Sequence, residues 1–207
     1  IALAPSRRRS MRVTDSMGRL NLPLDGLPDT ILMTDEKRLA DPVPLIGGLP
    51  TNSAVIFRHY GAPDRENLAI RLTAAARKHG VKVLIAADAR LVLKVGADGL
   101  HLPEALATRG PGVWRLWRRP DWLVTAAAHS PGALCRAERA GADAVLLAPV
   151  FPTESHPQTR PLGTLRFSVW CRQSPIPVYA LGGVSPVNLR RLKDSGTRGF
   201  AGISGFI

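Results

Sequence analysis

The chain has 207 residues, 45% of them hydrophobic, which suffices for one good core and is most simply one domain. Twenty-eight Lys and Arg against sixteen Asp and Glu leave a formal charge of +12, mostly from arginine, since only Lys37, Lys78, Lys82, Lys94 and Lys193 are lysines. The excess is scattered and no aromatic stripe alternates with it, which disfavours a nucleic-acid partner, and no apolar run is long enough to span a membrane.

The opening IALAPSRRRSMRVTDSMG puts its arginines after a very short apolar start, the wrong order for a secretory signal. Residues 1–28 are expected to form a flexible basic arm ahead of a domain at 29–207. Cys135 and Cys171 belong to no C-x-x-C pair or ligand cluster, which fits a reduced cytoplasmic protein.

From Pro28 onward the chain takes up a rhythm of short apolar runs suited to buried parallel strands. They are TILMT (30–34), SAVIF (53–57), VKVLIA (81–86), DGLHL (98–102), WLVTAA (122–127), AVLLA (144–148), IPVYA (176–180) and RGFAGI (198–203). Between them, ENLAIRLTAAARKHG lines Leu68, Leu72, Ala75 and Ala76 on one helical face and stops at Gly80. PGALCRAERAG and SPVNLRRLKDSG read as helices capped by Ser130 and Ser185, with proline in the first position and glycine at the end. VGADGLHL, AGADAVLLAP and SGTRGFAGI form a weak internal repeat of helix end, tight turn and buried strand.

Eight βα units of this kind point to an α/β fold, a single-domain TIM (β/α)8 barrel, with the final helix truncated or absent. An open doubly wound sheet is the alternative. No G-x-G-x-x-G follows the first strand and no G-x-x-x-x-G-K-[ST] occurs, so its usual chemical motive is missing.

In such a barrel the functional groups lie at the C-terminal ends of the strands, and a phosphate often binds at the loops after strands seven and eight. Gly182 and Gly183 follow strand seven, while Gly202, Ile203 and Ser204 follow strand eight. Without a Cβ, several backbone N–H groups can face one anion, and Ser204 adds a hydroxyl; the plainer reading is two tight turns on a crowded rim. Thr34 and Asp35 end strand one, Arg58 and His59 strand two, Asp88 follows strand three and Glu104 strand four.

His129 follows strand five beside the small-residue run TAAAH, which leaves room for a ligand. An imidazole there can take and return a proton near neutral pH, or it can simply bond to the first turn of the next helix. The loop APVFPTESHPQTRPLG after strand six carries Pro149, Phe151, Thr153, Ser155 and His156; it either meets a ligand or is a flap without chemistry. His101 lies within strand four, where packing or a backbone partner is expected, and His79 caps a helix end. Asp35, Asp88 and Glu104 share no short spacing that forces them together, so a metal site has little support, with Asp88 the one candidate if magnesium is used.

The ordered set TILMTD, VIFRHYG, GVKVLIAADARLVLKVGADGLHLPE, HSPGALCRAERAGADAVLLAPVFPTESH, PLG, IPVYALGGVSPVNL and GTRGFAGISGF resembles the thiamine phosphate synthase and thiazole tautomerase (TenI-like) superfamily, from about residue 29 onward. The resemblance implies a TIM barrel holding a small phosphorylated thiazole or thiamine-like ligand, its phosphate at Gly182, Gly183, Ile203 and Ser204. It also implies a bacterial thiamine-pathway role and a possible homodimer.

The departures bear on the reaction. Where the synthases have Q-L-R-E-K, this chain has Ile56, Phe57, Arg58, His59 and Tyr60; where they have N-D, it has Ala87 and Asp88. Their G-Q-x-D, whose aspartate helps hold magnesium, is matched by Pro103, Glu104, Ala105 and Leu106. Ala127 replaces a serine, and His156 replaces the lysine of T-x-T-K while Thr153 and Ser155 keep the hydroxyls. A diphosphate leaving group needs metal and cation contacts, so a synthase would require Mg2+. A tautomerase needs no cofactor, only an anchored phosphate and a proton carrier, which the resemblance assigns to His129. A tautomerase-like isomerase is therefore the expected function, with a synthase or a non-catalytic binder as alternatives.

Overall fold

Short strands that are apolar on both sides need cover on both faces, and here the sheet closes on itself to cover one face and carries helices on the other. The computed structural model describes residues 26–109, 112–153, 158–185 and 187–203. Eight parallel strands form a closed barrel in sequence order: β1 (Thr30–Met33), β2 (Ser53–Phe57), β3 (Lys82–Ala86), β4 (Gly99–Leu102), β5 (Leu123–Ala128), β6 (Ala144–Leu147), β7 (Val178–Leu181) and β8 (Gly199–Gly202). Each lies within two residues of its predicted span. Five α-helices are described around them: α1 (Arg65–Lys78), α2 (Ala89–Val95), α3 (Glu104–Thr108), α4 (Pro131–Ala140) and α5 (Gly163–Gln173).

Strand alternation divides the apolar residues between two cores. Ile31, Ile56, Leu84, Leu123, Leu146 and Tyr179 fill the barrel interior, with Leu27 below them. Their neighbours Leu32, Val55, Val83, Val124 and Val145 face the helices and pack with Leu68, Leu72, Leu134 and Phe167. The interior is closed at the N-terminal end by Tyr179, whose hydroxyl donates to the Pro28 carbonyl at 2.6 Å. Packing thus reaches back to Leu27, inside the basic arm expected at 1–28, whose residues 1–25 lie outside the described residues.

The internal repeat has a physical basis. Asp98, just before β4, gives its N–H to the Val83 carbonyl and takes the Val83 N–H on its carboxylate at 2.7 Å. Asp143, just before β6, does the same with Val124. Before β8, the Thr197 hydroxyl donates to the Val178 carbonyl instead. In each case a polar residue at the strand entrance clips it to the preceding strand, satisfying backbone groups that would otherwise be buried without partners. Burial raises the Asp143 carboxyl above its ordinary range, offset in part by the Val124 N–H and the Arg118 guanidinium.

Capping worked as expected around α4, where Ser130 Oγ accepts from the Ala133 N–H at 3.2 Å and Gly141 ends the helix at φ +89°. The stretch SPVNLRRLKDSG departs from expectation. It forms only a 3-10 turn over Leu189–Leu192, and Asn188 takes the place predicted for Ser185. The Asn188 side chain accepts the Ser185 N–H at 2.9 Å and donates to the Gly183 carbonyl at 2.7 Å, a local arrangement that competes with a longer helix. No helix follows β8 among the described residues, and none that is described is long and apolar enough to cross a membrane.

His101 points into the barrel, buried, with Nδ1 2.9 Å from the Thr125 hydroxyl. Burial, with the Arg58 charge adding to it, pulls its imidazole down to about 3. The folded-state value lies below the unfolded one, so the contribution to stability is complete above about pH 6.5 and is lost as the pH falls toward 3, because the unfolded chain protonates first. Thermal unfolding is expected to shift downward steadily below pH 6.5, by about 1.4 kcal/mol per pH unit once the unfolded imidazole is charged. The slope should flatten in His101→Gln; an unchanged slope would place the acid sensitivity elsewhere.

Candidate active site at the C-terminal face of the barrel

The parallel register pairs Leu181 of β7 with Ala201 of β8, so the next residues, Gly182 and Gly202, come side by side at about the 5 Å spacing of neighbouring strands. The two glycine-bearing turns of the sequence therefore share one edge of the rim. Gly182 and Gly183 take φ +88° and +65°. Behind them runs the start of the β6 loop, where Val150 N–H donates to the Leu181 carbonyl at 2.9 Å and Phe151 N–H to the Gly182 carbonyl at 3.0 Å. A Cβ on Gly183 would lie 2.2 Å from the Pro152 carbonyl oxygen. Among the described residues no acceptor takes the N–H of Gly183 or Val184, which leaves these amides available at the rim. Ile203, half-buried, packs at the top of the barrel interior, and Ser204 lies outside the described residues.

The described start of the β6 loop is a buried wall. Pro149, Val150 and Phe151 are buried, and the Arg191 guanidinium lies over the Phe151 ring at 5.3 Å. Thr153 is half-buried. Ser155 and His156 lie outside the described residues.

At the mouth above β1 and β2, Arg58 donates from Nε to the Thr34 carbonyl at 2.7 Å and from Nη2 to Asp35 at 3.3 Å, with its side chain 27% exposed. His59, a candidate for substrate contact from its place at the end of strand two, is buried. Its Nδ1 sits 2.9 Å from the Thr34 hydroxyl, its Nε2 3.0 Å from the Leu39 carbonyl, and its ring stacks on Phe57. Both ring nitrogens are engaged by protein groups, so His59 pins the β1 loop to β2 and offers no nitrogen to a ligand.

Asp88 is likewise committed. One oxygen caps α2 by accepting the Leu91 N–H at 2.9 Å, and the other pairs with Arg65 at 3.1 Å. No group of three or more His, Cys, Asp or Glu side chains converges among the described residues. Both Asp88 oxygens are thus engaged by protein groups, so the one carboxylate expected to hold magnesium is occupied as a helix cap and ion-pair partner.

His129 stands immediately after β5, its side chain 53% exposed. Its Nδ1 lies 2.6 Å from Oε2 of Glu104, the first residue of α3, while Glu104 Oε1 accepts from Arg136 of α4 at 3.2 Å. No described residue bonds its Nε2. Spacing along the sequence gave no reason to join Glu104 to His129, but β4 and β5 are adjacent, and the residues that follow adjacent strands meet at the rim. Arg65 and Asn188 were also not anticipated; both act by fixing loops that carry rim groups.

The molecule can be set beside known proteins at this point. The family described as Thiamine monophosphate synthase (TMP-TENI) matches residues 45–206. The "Putative thiamine-phosphate synthase 2" of Aquifex aeolicus is 36% identical over 155 residues, 74% of this chain and 82% of that protein. The "Thiamine-phosphate synthase" of Bacillus velezensis is 28% identical over 193 residues, 87% and 83% of the two chains. Among solved structures, the thiamine phosphate pyrophosphorylase of Pyrococcus furiosus superposes with a TM-score of 0.68 at 26% identity, covering 87% of each chain. With most of its length matched by the family and its barrel shared with a solved relative, the chain belongs to the thiamine monophosphate synthase (TMP-TENI) family.

Proposed function

We propose that this protein binds a small phosphorylated thiazole and acts as a thiazole tautomerase-like isomerase on a carboxythiazole phosphate. The observation that carries the reading is His129, exposed at the mouth, with Nδ1 held by Glu104 and Nε2 without a protein partner among the described residues. The phosphate would rest on the amides of the β7 and β8 loops, at Gly182, Gly183, Gly202 and Ile203, with Ser204 adding its hydroxyl. From there the thiazole extends toward β5. His129 Nε2 takes a proton from the ring system, and the imidazolium returns it at another position, so atoms and charge balance and no cofactor enters the step. Glycine backbones accept the anion closely, and the excess of positive charge attracts it.

A second reading is a thiamine-phosphate synthase, which joins hydroxymethylpyrimidine diphosphate to thiazole phosphate and releases pyrophosphate. The names borne by the relatives favour it over the isomerase. Arg58, retained at the mouth, is the feature of this chain that suits a diphosphate. The positions that the resemblance assigns to the metal weigh the other way, since Leu106 stands in place of a carboxylate and Asp88 is tied to Arg65.

The two are separated by two assays on the full chain. Incubated in D2O with a carboxythiazole phosphate and no magnesium, the protein is expected to isomerise it and exchange its ring proton for deuterium. Pyrophosphate release from the pyrimidine and thiazole substrates with Mg2+, and no isomerisation, would overturn the proposal in favour of the synthase. Calorimetric binding of the thiazole phosphate with neither turnover would leave a non-catalytic binder.

A further inference from the structure

We infer that Glu104 is a positioning residue for His129, fixing which of its ring nitrogens carries the proton and so which atom can act on a ligand. This deepens the isomerase reading and rests on it for its kinetic consequence, though not for the state of the ring itself.

The geometry runs through two consecutive units of the barrel. Glu104 opens α3 behind β4, His129 follows β5, and Arg136 lies one turn into α4. The helix carrying Arg136 is itself anchored beside His129, because Ser130 caps it. A carboxylate only accepts hydrogen bonds, and this one already takes one from the Arg136 guanidinium at 3.2 Å. At the 2.6 Å contact, then, Nδ1 of His129 must be the donor. The neutral ring is left with its lone pair on Nε2, the nitrogen that no described residue engages. A neutral imidazole free in water prefers the opposite arrangement, with its proton on Nε2. The pair therefore converts an exposed histidine into a base whose accepting nitrogen faces outward, and the Glu104 charge is in place to stabilise the imidazolium that forms.

Glu104 stands where the resembled pattern has the glutamine of G-Q-x-D. The same residue that departs from the synthase pattern thus supplies the charge that orients the histidine. A carboxylate in the first turn of α3 also favours that helix on its own account. The test must therefore read something that helix stability does not move.

With histidine labelled in 15N, the ring shifts of His129 are measured in the ligand-free full chain, assigned by their loss in His129→Gln. Wild type is expected to hold its neutral proton on Nδ1. Glu104→Ala should move it to Nε2, while Glu104→Gln, which keeps an accepting oxygen, should leave it on Nδ1 and guards against a variant that fails to fold. In the isomerase assay Glu104→Ala should lose at least about tenfold in kcat with KM within about twofold, and Glu104→Gln should recover part of the loss. A wild-type ring already protonated on Nε2, or one indifferent to Glu104→Ala, would overturn the inference. So would full kcat in Glu104→Ala. If the ring behaves as expected but wild type turns over no carboxythiazole phosphate, the positioning stands and the isomerase reading falls.

Discussion

Gly183→Ala is expected to weaken both the rim and the binding of any phosphorylated ligand. At φ +65° an L side chain costs about 1–2 kcal/mol, and the new Cβ would sit 2.2 Å from the Pro152 carbonyl oxygen and 2.9 Å from the Phe151 carbonyl carbon. Both are backbone atoms that no rotamer change can move aside. The β6 loop, bonded to β7 through Val150 and Phe151, must then shift, and overpacking of this kind adds about 1–3 kcal/mol. Any displacement of the Gly183 and Val184 amides also removes a charge-assisted contact to phosphate, each worth about 1.5–3 kcal/mol, or roughly 10- to 100-fold in affinity. Thermal unfolding and calorimetric titration with a thiazole phosphate measure the two effects separately. Gly163→Ala is the control: Gly163 has φ +69° but open space around its absent Cβ, so it should lose stability through the backbone alone and keep its affinity. Unchanged binding by Gly183→Ala would place the phosphoryl group away from the β7 and β8 loops.

The barrel was readable because a parallel strand buried on both faces leaves an unbroken apolar run, and eight such runs recur at turn-marked intervals. The repeated aspartates at 98 and 143 carried more information than a turn signal, since each clips its strand to the one before it. The stretch after β7 misled for a local reason. Its proline, leucines and closing glycine suit a helix, but Asn188 bonds to both Ser185 and Gly183 and holds the chain to a single 3-10 turn.

At the site, position after a strand end was legible and direction was not. Arg58 and His59 are neighbours in sequence, yet one reaches the mouth and the other is buried against Phe57. Glu104 and His129 stand 25 residues apart, and only the adjacency of β4 and β5 joins them. Ala87 stands where the resembled pattern has an asparagine, and it adopts φ +63°, a left-handed conformation that asparagine takes several-fold more readily than most residues.

His129→Ala is the substitution expected to separate binding from chemistry. The residue lies on the loop after β5, while the proposed phosphate amides follow β7 and β8, so the anchor for the ligand is built from different strands. Its side chain is half-exposed and its hydrogen bond to Glu104 lies at the rim, so losing that contact costs the fold no more than about 1 kcal/mol. Ser130 and Gly141 continue to cap α4. General acid–base catalysis by one positioned group contributes about 10²–10⁴-fold, and isomerisation should fall by that factor with the affinity for thiazole phosphate preserved. A parallel loss of affinity would mean that His129 grips the ligand rather than moving its proton. Retained turnover would assign the proton to another group at the mouth, and a synthase would show a third pattern, with pyrophosphate release depending on Arg58 more than on His129.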